Sequence, residues 1–236
     1  MSDRLLCIIP ARSGSKRIPR KNVLPICGKP LVIYSVEAAV ASGLFHTVIV
    51  STDDLEIENA VKTQARLHRR SADLSGDEIR LPAVCIAVLK SLHEHGEDFD
   101  AFSLLQPTCP LRTVDDLHNS IGLLKEEVDF VVSVTEYDDP IFWAMKENRS
   151  GYLKLYFGKK YLRPRQHLPE VFRHNGSIIW ARTKAFMMQR ELLGCPNTVA
   201  YKMPLERSLE ADHPHQFLLI KQILEGKNNE PFPDWT

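Results

Sequence analysis

Apolar and polar positions along this chain fall into blocks that read as strand, then helix, several times over. Leu5-Leu6-Cys7-Ile8-Ile9 is a continuous apolar run, the pattern of a strand covered on both faces. A helix follows, with Pro30 in its first turn, an apolar stripe through Leu31, Tyr34 and Val36, and Gly43 as its stop. Residues 47–51 predict a second strand, and Thr52-Asp53-Asp54 turns into a helix running to about Ala65. Leu81, Cys85, Val88 and Leu92 mark a third helical face, closed by Gly96. Residues 101–105 predict the next buried strand. Thr113 with Asp116 has the spacing of a capping box opening the helix of Leu117, Ile121 and Leu124, and residues 130–134 predict a further strand.

Repeated βα winding of this kind predicts an α/β fold: a Rossmann-like, mostly parallel sheet flanked by helices, with ligands at the carboxyl edge of its strands. The pattern breaks between residues 138 and 169, where Ile141-Phe142-Trp143 and Leu155-Tyr156-Phe157 stand among several basic residues. That stretch reads as a small β-rich excursion from a single domain spanning 1–236, serving as a packed flap or a dimerisation arm. Residues 177–181 and 200–203 resume the strands, and a helix over about 215–225 closes the fold. The tail Glu230-Pro231-Phe232-Pro233-Asp234-Trp235 reads as irregular and is assigned no role.

Composition narrows the function classes. The 236 residues carry 30 Lys+Arg against 30 Asp+Glu, a formal net charge of zero, which argues against a general nucleic-acid or acidic-membrane binder. No apolar run approaches the roughly 18 residues that span a bilayer. Met1-Ser2-Asp3-Arg4 enters a strand almost at once, without the pattern of a signal or transit peptide, and a reducing cytoplasm is the expected compartment. The five cysteines lack metal-ligand spacing, and Cys7 and Cys85 fall in apolar-periodic segments as core residues.

Against that neutral background one loop stands out. Between the first strand and the first helix lies Pro10-Ala11-Arg12-Ser13-Gly14-Ser15-Lys16-Arg17-Ile18-Pro19-Arg20-Lys21-Asn22, with five cations and no acid from Arg12 to Lys21. A solvated basic loop is the bland alternative. A strand-loop-helix with exposed amides and fixed cations at a sheet's carboxyl edge is a cradle for a triphosphate, and Gly14 and Pro19 are expected to constrain its shape. The loop matches neither the P-loop spacing nor Gly-x-Gly-x-x-Gly, so side-chain cations must hold phosphates as much as glycine amides do. Arg12 and Lys21 are the expected direct contacts.

The same loop, followed by Gly28-Lys29-Pro30-Leu31, strongly resembles the opening of the CMP-sialic acid synthetases, the N-acylneuraminate cytidylyltransferases. Further matches follow in order: Ser51-Thr52-Asp53, Arg70-Ser71-Ala72-Asp73-Leu74, Leu105-Gln106-Pro107-Thr108-Cys109-Pro110-Leu111-Arg112, Arg165-Gln166, Asn175-Gly176 and Ser208-Leu209-Glu210-Ala211-Asp212. Together they span residues 5 to about 217. The resemblance implies a nucleotidyltransferase: the anomeric hydroxyl of a 2-keto sugar acid attacks the α-phosphate of CTP, giving a CMP-sugar and pyrophosphate. Such chemistry needs positioning and charge neutralisation more than a covalent nucleophile.

Carried over residue by residue, the resemblance sets Arg12, Ser15, Lys21, Asn22, Arg70 and Gln106 around the nucleotide. Gln106, Arg165, Gln166 and Asn175 fall to the sugar acid, with Arg165 gripping its carboxylate through two parallel hydrogen bonds. Without the resemblance Arg70 reads as a surface cation beside Arg69, Arg112 as a salt-bridged residue of a rigid turn, and Arg165 as an interface salt bridge. Arg163 and Arg173 are left as surface cations. Glu210-Ala211-Asp212 is the expected Mg²⁺ site, since residues two apart on an extended strand face the same way. The family pattern has aspartate at both places, so Glu210 is a departure and Asp212 the firmer ligand; Asp212 also suits a helix N-cap. With Arg12 and Lys21, Asp212 forms the expected catalytic set. His213 and His215, like His93 and His95, read as solvated, while His167 and His174 are weak candidates for the base.

The loop differs from the Ser-Thr-Arg-Leu-Pro-Gly-Lys type of the related Kdo cytidylyltransferases, which favours the nonulosonate branch of sialic, legionaminic and pseudaminic acids. Some sialic-specific members carry a lysine just after the proline that matches Pro140. Ile141-Phe142-Trp143 stands there instead and suits a deoxy, diacetamido sugar such as legionaminic acid. The resemblance also implies a homodimer whose arms cover each other's sites. Readings from other classes are a metal-dependent glycosyltransferase, which pyrophosphate release from CTP would exclude, and a non-catalytic nucleotide-binding module, which turnover would exclude.

Overall fold

The computed structural model describes residues 3–76 and 78–226, so the tail at 230–235 lies outside the described residues. In chain order the elements are β1 (Leu5–Pro10), β2 (Pro25–Ile26), β3 (Lys29–Pro30), α1 (Leu31–Ser42), β4 (Thr47–Thr52), α2 (Leu55–Val61) and β5 (Arg66–Arg69). Then come α3 (Leu81–Glu94), β6 (Ala101–Leu104), α4 (Val114–Ile121), β7 (Phe130–Glu136), β8 (Met145–Glu147) and β9 (Leu153–Leu155). The chain continues through β10 (Phe172–Arg182), α5 (Thr183–Gln189), β11 (Thr198–Lys202) and α6 (Pro214–Gly226).

Seven strands form one sheet in the order β11-β7-β10-β6-β1-β4-β5. All neighbouring pairs are parallel except those made by β10, which runs antiparallel to both β6 and β7. The expected mostly parallel α/β architecture therefore holds. Strand periodicity explains the layering. Leu6 and Ile8 of β1 point to one face, where Cys85, Val88, Leu89 and Leu92 of α3 and Phe186 of α5 cover them. Cys7 and Ile9 point to the other, against Val32 and Val36 of α1, Ile57 of α2 and Leu117 of α4. Cys7 and Cys85 are both fully buried.

A third apolar cluster positions the functional edge. Ile18 of the basic loop, Leu31, Leu111, Ala211, and Phe217 and Ile220 of α6 pack together. Burying a side chain of this kind stabilises by about 1.5–3 kcal/mol, enough to dock the last helix against the first loop. The structure differs from expectation in the short β2–β3 pair, in α4 ending at Ile121 before Leu124, and in two larger respects. The helix expected to reach Ala65 ends at Val61, and residues 66–69 form β5, a polar edge strand beside β4. Helix α5 was not anticipated; its seven residues are two turns, too short for a helical period to show. Residues 138–169 hold one antiparallel pair, β8 with β9, and 3-10 turns at 141–143, 159–161 and 165–167.

Candidate active site

At the carboxyl edge of β1, β4, β5 and β6 lies an open cleft of about 490 Å³. Arg12, Ser15, Lys21, Asn22, Arg70, Gln106 and Asp212 all line it, together with Lys16, Arg17, Thr108 and the apolar Ile79, Leu81 and Val84. Two ends of the chain meet here. Lys21 Nζ lies 2.6 Å from Asp212 Oδ1, although the two residues are 191 apart in sequence. Arg17 approaches the other carboxylate oxygen of Asp212 at 3.7 Å.

The loop's run of cations therefore does not stand unanswered in the fold, because acids arrive from elsewhere. Arg20, in the left-handed region with φ 56°, pairs with Glu56. Arg12 Nη1 donates to the Gly76 carbonyl at 3.2 Å. Asn22 is buried and donates its side-chain amide to the Arg12 carbonyl at 2.9 Å, so it closes the loop on itself. The shape expected from Gly14 has another origin. Gly14 has no left-handed φ, and a Cβ there would meet nothing within 4 Å.

Asp53 holds the loop from the β4 side, accepting from the Ser13 N–H at 2.7 Å and from the Ser13 hydroxyl at 2.8 Å. Burial works against its ionised form, but these two hydrogen bonds and the Arg70 charge prevail, and its carboxyl sits below the usual range. Arg70 Nε donates to Ser51 Oγ at 3.0 Å, and Ser51 Oγ also contacts His68 Nδ1 at 3.0 Å. The other side of that guanidinium is idle: Arg70 Nη2 is buried with no hydrogen-bond partner among the described residues. Burial pushes the Arg70 pKa down to about 10, with Asp53 opposing and Arg12 adding to the fall. Burial, and then Arg70, push His68 down as well, so it is neutral at pH 7. Asp53, Ser13 and Arg17 are site residues that sequence reasoning assigned no role. Their signal was the matched Ser51-Thr52-Asp53 and the basic loop itself.

The carboxylates do not lie on a strand. Residues 208–210 are irregular and Ala211-Asp212 form a turn, with the Asp212 N–H donating to the Glu210 carbonyl at 2.8 Å. Ala211 is buried in the third apolar cluster, which pins the turn from below. Asp212 is not the cap of α6; the residue before Pro214 is His213, whose N–H donates to Gln216 Oε1. Glu210 is half-buried, and burial followed by the Asp212 charge raises its pKa. Two carboxylates on one turn, with Asp212 lining a cationic cleft and close enough to Glu210 to act on its charge, are donors of the kind Mg²⁺ takes together with phosphate oxygens. A dication there would offset both the burial and the Asp212 charge that raise Glu210.

Gln106 leaves β6 with its carbonyl held by Ser35 Oγ at 3.2 Å and Arg112 Nη2 at 3.0 Å. Arg112 is buried and also donates to Ser35 Oγ and the Ser177 carbonyl. It is a pin for the 106–112 turn through neutral acceptors, rather than the salt-bridged residue expected. Asn175 is fully buried. Its Oδ1 accepts from Ser133 Oγ (2.6 Å) and the Ser177 N–H (3.2 Å), while Nδ2 donates to Ser208 Oγ (2.9 Å) and the Met203 sulfur (3.3 Å). The neutral sugar contact expected of it has no exposed atom to act through.

Arg165 and Gln166 are exposed and do not line the cleft that holds Lys21 and Asp212. Arg165 donates to the Tyr137 carbonyl at 3.2 Å and lines a hollow of about 510 Å³ at the ends of β7 and β11. With Gln166 it also lines a neighbouring hollow of about 320 Å³, where Pro140, Phe142, Leu168, Pro169 and Val171 stand beside Glu136, Tyr137 and Glu170. Both hollows sit at the same edge of the sheet, further along it. His167 is exposed; His174 has a buried, unpartnered Nε2, and burial pushes its pKa down.

A family model described as cytidylyltransferase matches residues 6–205. The chain is 33% identical to the pseudaminic acid cytidylyltransferase of Campylobacter jejuni, over 95% of this chain and 97% of that protein. It is 29% identical to the CMP-N,N'-diacetyllegionaminic acid synthase of Legionella pneumophila, over 94% and 97%. Against the N-acylneuraminate cytidylyltransferase of Streptococcus agalactiae it is 32% identical over 91% of this chain, and spans about half, 52%, of that protein. Among solved structures, a CMP:2-keto-3-deoxy-manno-octonic acid synthetase complexed with CTP superposes with a TM-score of 0.67, at 17% identity, covering 95% of this chain and 99% of the other.

Proposed function

The chain belongs to the cytidylyltransferase family, and from that premise we propose that it activates a nonulosonic acid with CTP. The observation that carries this reading is the 2.6 Å contact of Lys21 with Asp212, which sets the basic loop and a carboxylate turn in one cleft. In the reaction the anomeric hydroxyl of the sugar acid gives up its proton to water as its oxygen forms a bond to the α-phosphorus. The bond from that phosphorus to the bridging oxygen of the β-phosphate breaks, and pyrophosphate leaves.

Arg12 and Lys21 steady the phosphates, and Ser15 lies on the same wall. Arg70 offers its unpartnered Nη2 to the nucleotide, a donor that a ligand acceptor satisfies at no cost to the fold. Gln106, fixed through its own carbonyl, presents its side-chain amide at the floor. Asp212, with Glu210 beside it, would hold Mg²⁺, which supplies charge neutralisation on the phosphate oxygens. Arg165 takes the sugar carboxylate as a bidentate pair and Gln166 supplies a neutral contact.

We take the sugar to be of the deoxy, diacetamido class, legionaminic or pseudaminic in type. Pro140, Phe142, Leu168, Pro169 and Val171 give the hollow beside Arg165 and Gln166 an apolar wall, set against Glu136, Tyr137 and Glu170, and that wall suits methyl and acetamido groups better than a run of hydroxyls. We also take the working form to be a homodimer joined through residues 138–169. That arm exposes Met145, Tyr152, Leu153, Tyr156 and Leu162, a concentration of apolar surface suited to a second copy of the chain.

The test incubates the protein with CTP, Mg²⁺ and a panel of 2-keto sugar acids, reading CMP-sugars by mass spectrometry and pyrophosphate release. The diacetamido sugars are expected to be turned over best. No product with any sugar would remove the assignment, and a marked preference for the fully hydroxylated sugar would remove the sugar class. Arg12→Ala and Asp212→Ala are each expected to lose most activity while remaining folded.

A further inference from the structure

Strand β10 is broken where it passes the site. Its register against β7 shifts between His174 and Ile179, and the irregular stretch carries Asn175-Gly176. Nothing in the proposed chemistry uses either residue, yet both are tied to the segments that carry the site. Asn175 Nδ2 donates to Ser208 Oγ, which itself donates to the Pro204 carbonyl, so the amide fixes the start of the carboxylate turn. The Asn175 carbonyl accepts from the buried Cys109 thiol at 3.3 Å, and the Ala211 N–H reaches the Thr108 carbonyl at 2.8 Å. These contacts brace the 106–109 turn and the 208–212 turn against each other.

Gly176 completes the arrangement by what it lacks. Its φ is +66°, and a Cβ there would lie 2.6 Å from Glu210 Oε2 and 3.1 Å from Gln106 Nε2. The Glu210 carboxylate and the Gln106 amide thus rest on the space where a side chain would be. Resting on the metal reading given above, we propose that the Asn175-Gly176 bulge is a positioning device. It sets the Glu210 carboxylate beside Asp212 for a divalent cation and sets the Gln106 amide at the same point. Glu210 lies at the flexible end of its own side chain, so a methyl group at 176 can be accommodated by swinging the carboxylate away. The expected consequence is a folded protein with a misplaced ligand, since partners that orient a metal ligand are worth about 10–100-fold in metal affinity.

The experiment titrates Mn²⁺ into the full chain with CTP present, by electron paramagnetic resonance, alongside steady-state kinetics. Gly194→Ala is the control, because Gly194 also has a left-handed φ (+72°) but nothing within 4 Å of its Cβ position. Gly176→Ala is expected to weaken Mn²⁺ binding about tenfold or more and to lower kcat while the KM for CTP stays within about twofold. Gly194→Ala is expected to lose a similar amount of stability and to bind Mn²⁺ as the unaltered protein does. Glu210→Asp, one methylene shorter, should bind Mn²⁺ and should make Gly176→Ala far less damaging in that background. Equal losses in both backgrounds, or a Gly176→Ala effect no larger than that of Gly194→Ala, overturn the proposal. If Gly176→Ala does not fold, Ser208→Ala reads the same brace from its other end; unchanged Mn²⁺ affinity there overturns it too. An unaltered protein whose Mn²⁺ binding is indifferent to Asp212→Asn would instead remove the metal reading itself, and the proposal with it.

Discussion

Replacing Asp116 by asparagine keeps the side chain's size and removes its charge, in one of the most heavily bonded places of the molecule. Asp116 is 1% exposed. Its Oδ2 accepts from the Thr113 N–H and hydroxyl, both at 2.9 Å, and from Arg207 Nε at 3.2 Å; Oδ1 accepts from Arg207 Nη2 at 2.8 Å and Tyr201 Oη at 2.9 Å. An amide must turn its NH₂ toward two or three of these donors, whichever way it is placed, and Arg207 loses its counter-charge. Arg207 keeps 32% of its side chain in water, so the cost falls mainly on the donors left facing the amide, at about 1–3 kcal/mol each and about 3–5 kcal/mol together. At about 2–4 °C per kcal/mol for a chain of this size, the melting temperature should fall by about 6–20 °C.

The pH dependence gives a second check. Burial alone would raise the Asp116 pKa, but Arg207, Thr113 and Tyr201 outweigh it and hold the carboxyl low. A carboxyl depressed in the folded state contributes stability that is complete above the unfolded value of about 3.9 and is lost as pH falls through the folded value. The gap between the unaltered protein and Asp116→Asn should therefore be full at pH 7 and shrink below about pH 4. Urea denaturation followed by circular dichroism measures both. A cost under about 1 kcal/mol, or a gap as wide at pH 3 as at pH 7, would refute the reasoning. Because Arg207 immediately precedes the 208–212 turn, turnover of the folded fraction should fall as well.

Gly14→Ala should leave stability within about 0.5 kcal/mol, since its backbone is unstrained and its Cβ position open, but should weaken CTP binding by about tenfold in isothermal titration, because Gly14 lines the cleft and a methyl group takes up room there. His68 should contribute stability that is complete above about pH 6.5 and declines as pH falls, because the unfolded chain takes up a proton that burial and Arg70 deny to the folded one; His68→Asn should flatten that slope in urea titrations at pH 5 and 7.5. Light scattering should give about twice 26.9 kDa for the unaltered chain and a single-chain mass for Met145→Lys with Leu153→Lys, both residues being exposed on the β8–β9 pair. A single-chain mass for the unaltered protein would end the dimer proposal.

What could be read before the structure was what depends on neighbours in sequence. The capping box of Thr113 with Asp116 is one such case, since its two halves lie three residues apart. The buried strands are another, because continuous apolar runs such as 5–9 need no knowledge of their partners. Strand β5 was illegible for the opposite reason. Arg66-Leu67-His68-Arg69 sits at a sheet edge, mostly exposed, and only its pairing with β4 defines it. The site divides the same way. The basic loop advertised itself by local charge, but nothing local to Asn175 announces Ser133 and Ser208, 42 and 33 residues away, which consume its amide. Gly14 and Gly176 are alike on paper; backbone torsion and the approach of Glu210 separate them.

The chord from Lys21 to Asp212 also has a bearing on how the protein comes into being. During synthesis the basic loop emerges early, whereas its counter-charge, 191 residues further along, and the helix that follows it are made much later. A nascent chain can therefore fold most of its sheet while the reaction centre is still in two halves. On the proposed reading the cleft is complete only once α6 has docked, so a chain cut short before Pro214 should be inert however well its sheet has folded.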